Sequence, residues 1–292
     1  MIWQDYKKLY ANALKQYSPK FKKELQNQVN TYCRTLDYNA ISDKAIKKTI
    51  QKLHLAMGVK MAQISSKVVK RSVKGHYEAL EVKSAETDLF AYTILQYLQT
   101  QGLEQLASDI TNTTKEQIRR YLIQSAEQNL TLPESIALLR NAGITDYRAE
   151  LIARTETGRA ANIGSMVGAT STGLVTIKEW IAAKDNRTRR IPRDQFDHLN
   201  MDGTKIPMDA TFKLQNKKGG FDLMLHPCDS SGSAGDVCNC RCTLGYEAQR
   251  DKNGKLLKLQ DNPPKGNVGM IWGILTNAVG MQIGNLIADL FE

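Results

Sequence analysis

The sequence predicts an α+β protein: a mostly helical N-terminal region, a small loop-rich unit containing β-strands, and an apolar helical segment at the C-terminal end. Three observations lead there. Up to about residue 170, apolar residues recur at spacings of three and four, and only Pro19 and Pro133 interrupt them. From Gly173 the pattern turns to alternation and then to short apolar runs among Gly, Asp, Asn and Pro. From Gly266 to Ala288 no residue is charged.

The elements follow in order. Tyr6, Leu9, Tyr10, Leu14 and Tyr17 share one face of a first helix. A longer helix is expected from about Ser42 to Lys74, with Ile46, Ile50, Leu53, Met57, Met61, Ile64 and Val68 as its stripe and His54 as a partly buried structural residue. Capping signals mark two starts: Thr113 with Glu116, or Thr114 with Gln117, and then Thr131 with Glu134, ended by Gly143. A further helix begins near Thr145–Asp146 and runs through "AELIARTETGRAANIGSMVGA". "GLVTIKEWIAA", residues 173–183, is a strand, and "QRDKNGKLLKLQDNPPK" at 249–265 is a polar connector. These signals divide the chain into a basic helical arm at 1–112, a helical part at 113–172, a β unit at 173–248, the connector at 249–265 and an uncharged Gly-rich tail at 266–292. The tail carries Gly269-x-x-x-Gly273 and Gly280-x-x-x-Gly284, spacings that permit close helix approach, and is long enough to span a bilayer. Its Asn267, Thr276, Asn277, Gln282 and Asn285 favour packing against protein, with transient membrane contact as the alternative.

The net charge of +10 is uneven, because residues 1–80 hold sixteen Lys/Arg against five Asp/Glu. A basic block of this kind suits an acidic protein surface or double-stranded DNA bound without sequence preference, and Lys44, Lys47, Lys48 and Lys52 are the candidate contacts. Aromatic residues are not interleaved as single-strand stacking would need. No signal peptide follows Met1, so synthesis in a reducing cytoplasm is expected, where clustered cysteines favour metal binding over a disulfide framework.

Six of the nine Cys and His residues fall between His198 and Cys242. A zinc ion needs four N or S ligands at roughly 2.0–2.3 Å. The candidate set is His198, Cys228, Cys240 and Cys242, with Cys238 or His226 as substitutes. Residues i and i+2 of a strand lie nearly 7 Å apart, so Cys240 and Cys242 converge on one ion only if the backbone bends. Buried free thiols, or a disulfide formed after release from the cell, are the alternatives. Neither an HExxH nor a deaminase-type zinc motif is present, which favours a structural ion over a catalytic one. In "RTETGRA", Arg154 and Glu156 point to nearly opposite sides of a helix, whereas Glu156 and Arg159 are placed for an ion pair. Arg154, Thr155, Glu156 and Arg159 therefore form a structural motif linking this helix to the β unit, with Trp180 covering the junction and Asp185, Arg187 and Arg189 joining the network or facing DNA.

From about Arg148 to Tyr246 the chain resembles the phage Mu F-like minor head protein family, the phage head morphogenesis proteins. The resemblance rests on "RAELIARTETGRAANIG", Trp180 followed by "DNRTR" at 185–189, His198 with Asp202–Gly203, Phe212, Pro227–Cys228–Asp229, and "NCRC" at 239–242. Departures are the longer "RIPRDQFD" insertion before His198, the additional Cys238, and the C-terminal segment, which lies outside the family region. The resemblance implies a non-enzymatic minor capsid protein inside the virion head. It would sit at low copy number near the portal vertex, touching portal or major capsid protein, and contact or leave with the DNA. Its rivals are a membrane-active ejection protein working through residues 266–288 and a metal-dependent enzyme or toxin using the Cys/His cluster. Only about fifty residues follow Cys242, too few for a further catalytic domain.

Overall fold

The computed structural model describes residues 2–73, 86–278, 281 and 283. Six helices come first: α1 (Ile2–Thr35), α2 (Lys44–Ser72), α3 (Glu86–Thr100), α4 (Leu103–Glu127), α5 (Leu132–Asn141) and α6 (Ile144–Thr170). The β unit follows, with β1 (Thr176–Ile181), β2 (Lys205–Pro207), β3 (Phe212–Gln215), β4 (Phe221–Met224), a short α7 (Ala234–Val237) and β5 (Thr243–Ala248). A further helix, α8, spans Gly266–Asn277. The α+β architecture is the expected one.

The helical stripes bury as their spacing requires. Tyr6, Tyr10 and Tyr17 of α1 and Ile46, Ile50, Leu53, Met57 and Met61 of α2 are buried, while Leu9, Leu14, Ile64 and Val68 lie at the edges of their stripes. Lys74, the expected end of α2, lies outside the described residues. The capping box of Thr131 and Glu134 forms at the head of α5. The start expected at Thr113 or Thr114 does not exist. α4 runs unbroken from Leu103, with Gly102 in the left-handed region (φ 81°) ahead of it. The Thr113 and Thr114 hydroxyls instead bond back to Asp109 O and Ile110 O, as mid-helix threonines do.

α6 is the centre of the molecule and is buried almost all round from Thr155 to Thr170. Its tightest partner is α2. A Cβ on Gly164 would stand 2.1 Å from Gly58 O, and one on Gly168 would stand 2.0 Å from Ala62 O. Small residues on both helices thus let the backbones touch, as in close-crossing helix pairs generally.

The sheet has the antiparallel order β2-β1-β5, with Trp180 opposite Leu244, and β3 and β4 form a separate hairpin. β1 alternates as expected, but its fully buried side is that of Thr176, Lys178 and Trp180. Lys178 is accommodated because Nζ donates to Leu225 O at 2.7 Å and lies 5.3 Å from the Phe212 ring centre; burial pulls its pKa down to about 7. Residues 249–265 contain no helix or strand, yet they are packed: Leu259 is buried and its N–H donates to Gly173 O. Among the described residues no helix is long and apolar enough to cross a membrane. Much of the uncharged tail beyond Ala278, including Gly280 and Gly284, lies outside them.

Candidate metal centre

His198, Cys240 and Cys242 meet in the interior of the β unit. His198 Nδ1 is 3.4 Å from Cys240 Sγ and 3.6 Å from Cys242 Sγ, and all three ligand atoms lie within 4.8 Å of one another. Each residue is at most 2 % exposed. A void of about 10 Å³ adjoins them, roughly the space of a single small ion or water.

The backbone makes this convergence possible by avoiding the strand that would prevent it. β5 begins only at Thr243. Asn239 adopts a left-handed conformation (φ 61°), so the chain turns between Cys238, which caps α7, and Cys240. Cys238 is thereby directed elsewhere and lines a separate cavity together with His226. Cys228 arrives on a second turn, itself at φ 64°, and its thiol reaches Cys240 O at 3.4 Å. Of the candidate ligands, three are therefore gathered, Cys228 stands beside Cys240, and His226 and Cys238 face away.

The imidazole is oriented from behind. Asp236, fully buried, holds His198 Nε2 and leaves Nδ1 directed at the two sulfurs. A carboxylate behind a histidine is the usual support of a metal-binding imidazole. The Trp180 ring closes another side, nearly perpendicular to the imidazole with the ring centres 5.5 Å apart. The Cys228 and Cys242 thiols both lie against Cys240 sulfur and draw its proton affinity well down, while the same contacts, with burial, push their own well up. Burial opposes charge on His198, but the Cys240 thiolate and Asp236 outweigh it and raise the ring to about 9. One imidazole and two or three sulfurs at this spacing are a donor set suited to zinc or another thiophilic divalent ion. The residues present fit a metal.

The face of α6 that carries "RTETGRAAN" docks the turns bearing the sulfurs. Thr155 Oγ1 accepts from Asn239 N–H at 3.1 Å, and Arg159 Nε donates to Cys228 O at 2.9 Å. Asn162 Nδ2 donates to Pro227 O at 3.0 Å and to Cys242 O at 3.3 Å. A Cβ on Gly158 would stand 2.6 Å from Cys228 Sγ, so only glycine fits there. Glu156 is buried between Arg159 Nη1 (2.5 Å) and His54 Nε2 (3.2 Å); burial opposes its charge, but Arg159 and His54 keep it ionised. Arg154 pairs with Glu150 instead. On the outer side, Asp185 receives both Arg241 nitrogens, which hold its carboxyl down at about 2, and Arg189 bonds Cys238 O. The Arg187 side chain is exposed, and its backbone N–H donates to Asp185 Oδ1. Far from this centre, Lys44, Lys48 and Lys52 line an exposed edge of α2, whereas Lys47 is half-buried and paired with Glu104.

Three members of the site escaped the sequence reading: Asp236, Gly158 and Asn162. The last two had a local signal, since Gly158, Arg159 and Asn162 share a side of α6 with Thr155. Asp236 had none, because nothing in "SAGDVC" ties it to a histidine 38 residues away.

Residues 102–245 match the family model described as Phage Mu protein F like protein. The matched stretch takes in α4 to α6, β1 to β4, the first three residues of β5 and every candidate metal ligand. No curated protein and no solved structure gives a significant match.

Proposed function

From the Mu F-like region that this chain carries, a region type of phage head proteins, we propose that it is a minor head protein, bound at low copy number near the portal vertex and without catalytic activity. One observation carries the structural reading. The polar face of the family helix is engaged in holding the turns that bear the sulfurs, with Thr155, Arg159 and Asn162 each bonded to their backbone. Side chains bonded in this way serve assembly of the fold. In this reading a single zinc ion, held by His198, Cys240 and Cys242 with Cys228 as the fourth ligand, clamps the β unit, and Asp236 orients the imidazole.

Counting the chain against portal protein by quantitative mass spectrometry of procapsids and mature virions tests the proposal. A few copies per particle are expected in both, and loss from DNA-emptied particles would add ejection. Absence from every particle overturns the reading. The basic edge of α2 supplies a contact with DNA or an acidic head surface: Lys44, Lys48 and Lys52 lie one turn apart, about 6 Å per step. Reversing these three charges is expected to weaken binding to a random-sequence duplex and to lower the salt slope by about one for each phosphate no longer neutralised. An unchanged slope assigns the edge to a protein surface instead.

A further inference from the structure

α6 meets very different neighbours on its two sides. Toward α2 the backbones touch. Toward α4 the two helices scarcely meet, and a cavity of about 710 Å³ lies between them, lined also by Tyr97 and Leu98 of α3, by the turn at His226 and by Val237 of α7. Its α6 wall extends from Arg148 to Ile163 in steps of three and four residues, about 22 Å along the axis. Leu106 and Ile110 of α4 face Leu151 and Ile152 across it, and all four are only half-buried by this chain.

The separation is built in. Arg148 crosses from α6 to α4, where Nη1 donates to Thr114 Oγ1 at 2.9 Å and Nη2 to Ile110 O at 3.0 Å. Beside the turn at His226, two polar atoms have no hydrogen bond among the described residues. Arg159 uses Nε on Cys228 O and Nη1 on Glu156, and Nη2 makes none there. His226 Nδ1 donates to Pro227 O, so Nε2 of the neutral ring is an acceptor without a donor. Both residues line the cavity and both are more than nine-tenths buried, the Arg159 side chain being 10 % exposed.

These features select the occupant. The walls are mostly apolar, Glu156 already balances the Arg159 charge, and Asp109 and Asp229 also line the cavity, which disfavours a polyanion. A trough of this length between two helices matches a third helix better than a compact small molecule. One donor and one acceptor lining the same cavity match a side-chain amide, whose oxygen accepts and whose nitrogen donates. We propose that the groove between α4 and α6 receives an amphipathic helix of another head component, its apolar side chains at i, i+3, i+4 and i+7 entering between Leu106 and Ile152, and one Asn or Gln amide bridging Arg159 Nη2 and His226 Nε2. This surface deepens the head-protein reading above and rests on it.

The test uses the full chain in assembled heads. Wild-type chain is counted first, and its absence there sinks the head-protein reading by itself. Leu106→Trp and Ile152→Trp fill the groove; each purified variant is expected to melt within a few degrees of wild type, while its copies per head fall at least tenfold. Full incorporation of both overturns the groove. Photo-leucine, nearly isosteric with leucine, is then incorporated into wild-type chain, so misfolding of the tryptophan variants does not decide the matter. Crosslinks from Leu103, Leu106 or Leu151 to an Asn- or Gln-containing apolar helix of a different head protein support the proposal. Crosslinks only to a second copy or to this chain's own residues 279–292, or none at these leucines, overturn it.

Discussion

The helical region and the β unit keep their interiors together by different means. In the helices, apolar stripes bury against one another, and the closest approach, α2 on α6, involves nothing larger than glycine and alanine. In the β unit the interior includes Lys178, His198, Asp236 and three thiols, all nearly inaccessible to water. The first kind of core depends on shape and tolerates no added atom at its tightest point. The second depends on polar groups finding specific partners, and it is only as stable as those partners allow.

Gly164→Ala should show the difference most severely. The added methyl would sit 2.1 Å from the Gly58 carbonyl, so the helices must separate, and the cost is expected to exceed the roughly 3 kcal/mol of ordinary overpacking. Denaturant unfolding followed by helical circular dichroism measures it; a destabilisation below about 1 kcal/mol would show that α2 and α6 do not touch through their backbones. Cys240→Ser should act on the other core. Metal content by elemental analysis is expected to fall from about one zinc per chain to none, with a lowered melting temperature that chelator lowers no further. Equal metal content in wild type and variant would remove the metal from the account of the β unit.

Asp236→Asn is milder, because it disturbs the support of a ligand rather than the ligand. A loss of roughly 10–100-fold in zinc affinity is expected, read by competition with a chromophoric chelator, and an unchanged affinity would reduce Asp236 to a packing residue. The smallest effect concerns Lys178. Its pKa falls from 10.5 to about 7 on folding through burial, so between those values the unfolded chain binds more protons than the folded one. Stability from this group therefore rises with pH from about 7 to about 10.5, and below pH 7 the penalty for its buried charge is felt in full. In Lys178→Met that rise should be missing, giving the variant its largest advantage at low pH; parallel denaturation midpoints across this range would contradict it.

The two regions also differed in how far the sequence revealed them. The helices were legible because spacing reports which side is buried, and the Thr131–Glu134 box marked a true start. Thr113 misled because threonine bonds equally well to its own helix four residues back, while the real boundary lay at Gly102. The small-residue crossing at Gly58, Ala62, Gly164 and Gly168 was overlooked, since stripes of large residues dominate the pattern and the crossing becomes evident only when the helices are paired. In the β unit, His198, Cys240 and Cys242 were legible by their clustering alone. The divergence of Cys238 was not, because it follows from the left-handed Asn239, an angle that composition does not encode. The inward turn of Lys178 was likewise hidden, because its partner, Leu225 O, is a backbone atom 47 residues away.

Mechanically, α6 is one unbroken rod of 27 residues, about 40 Å long, with α2 pressed against its second half and the sulfur-bearing turns bolted to its middle through Gly158, Arg159 and Asn162. The chain after β5 then returns to latch Leu259 beside Gly173 at the rod's far end. The two halves are thus joined through one continuous helix, so a pull on the cysteine turns is carried along it toward the basic helices as a load.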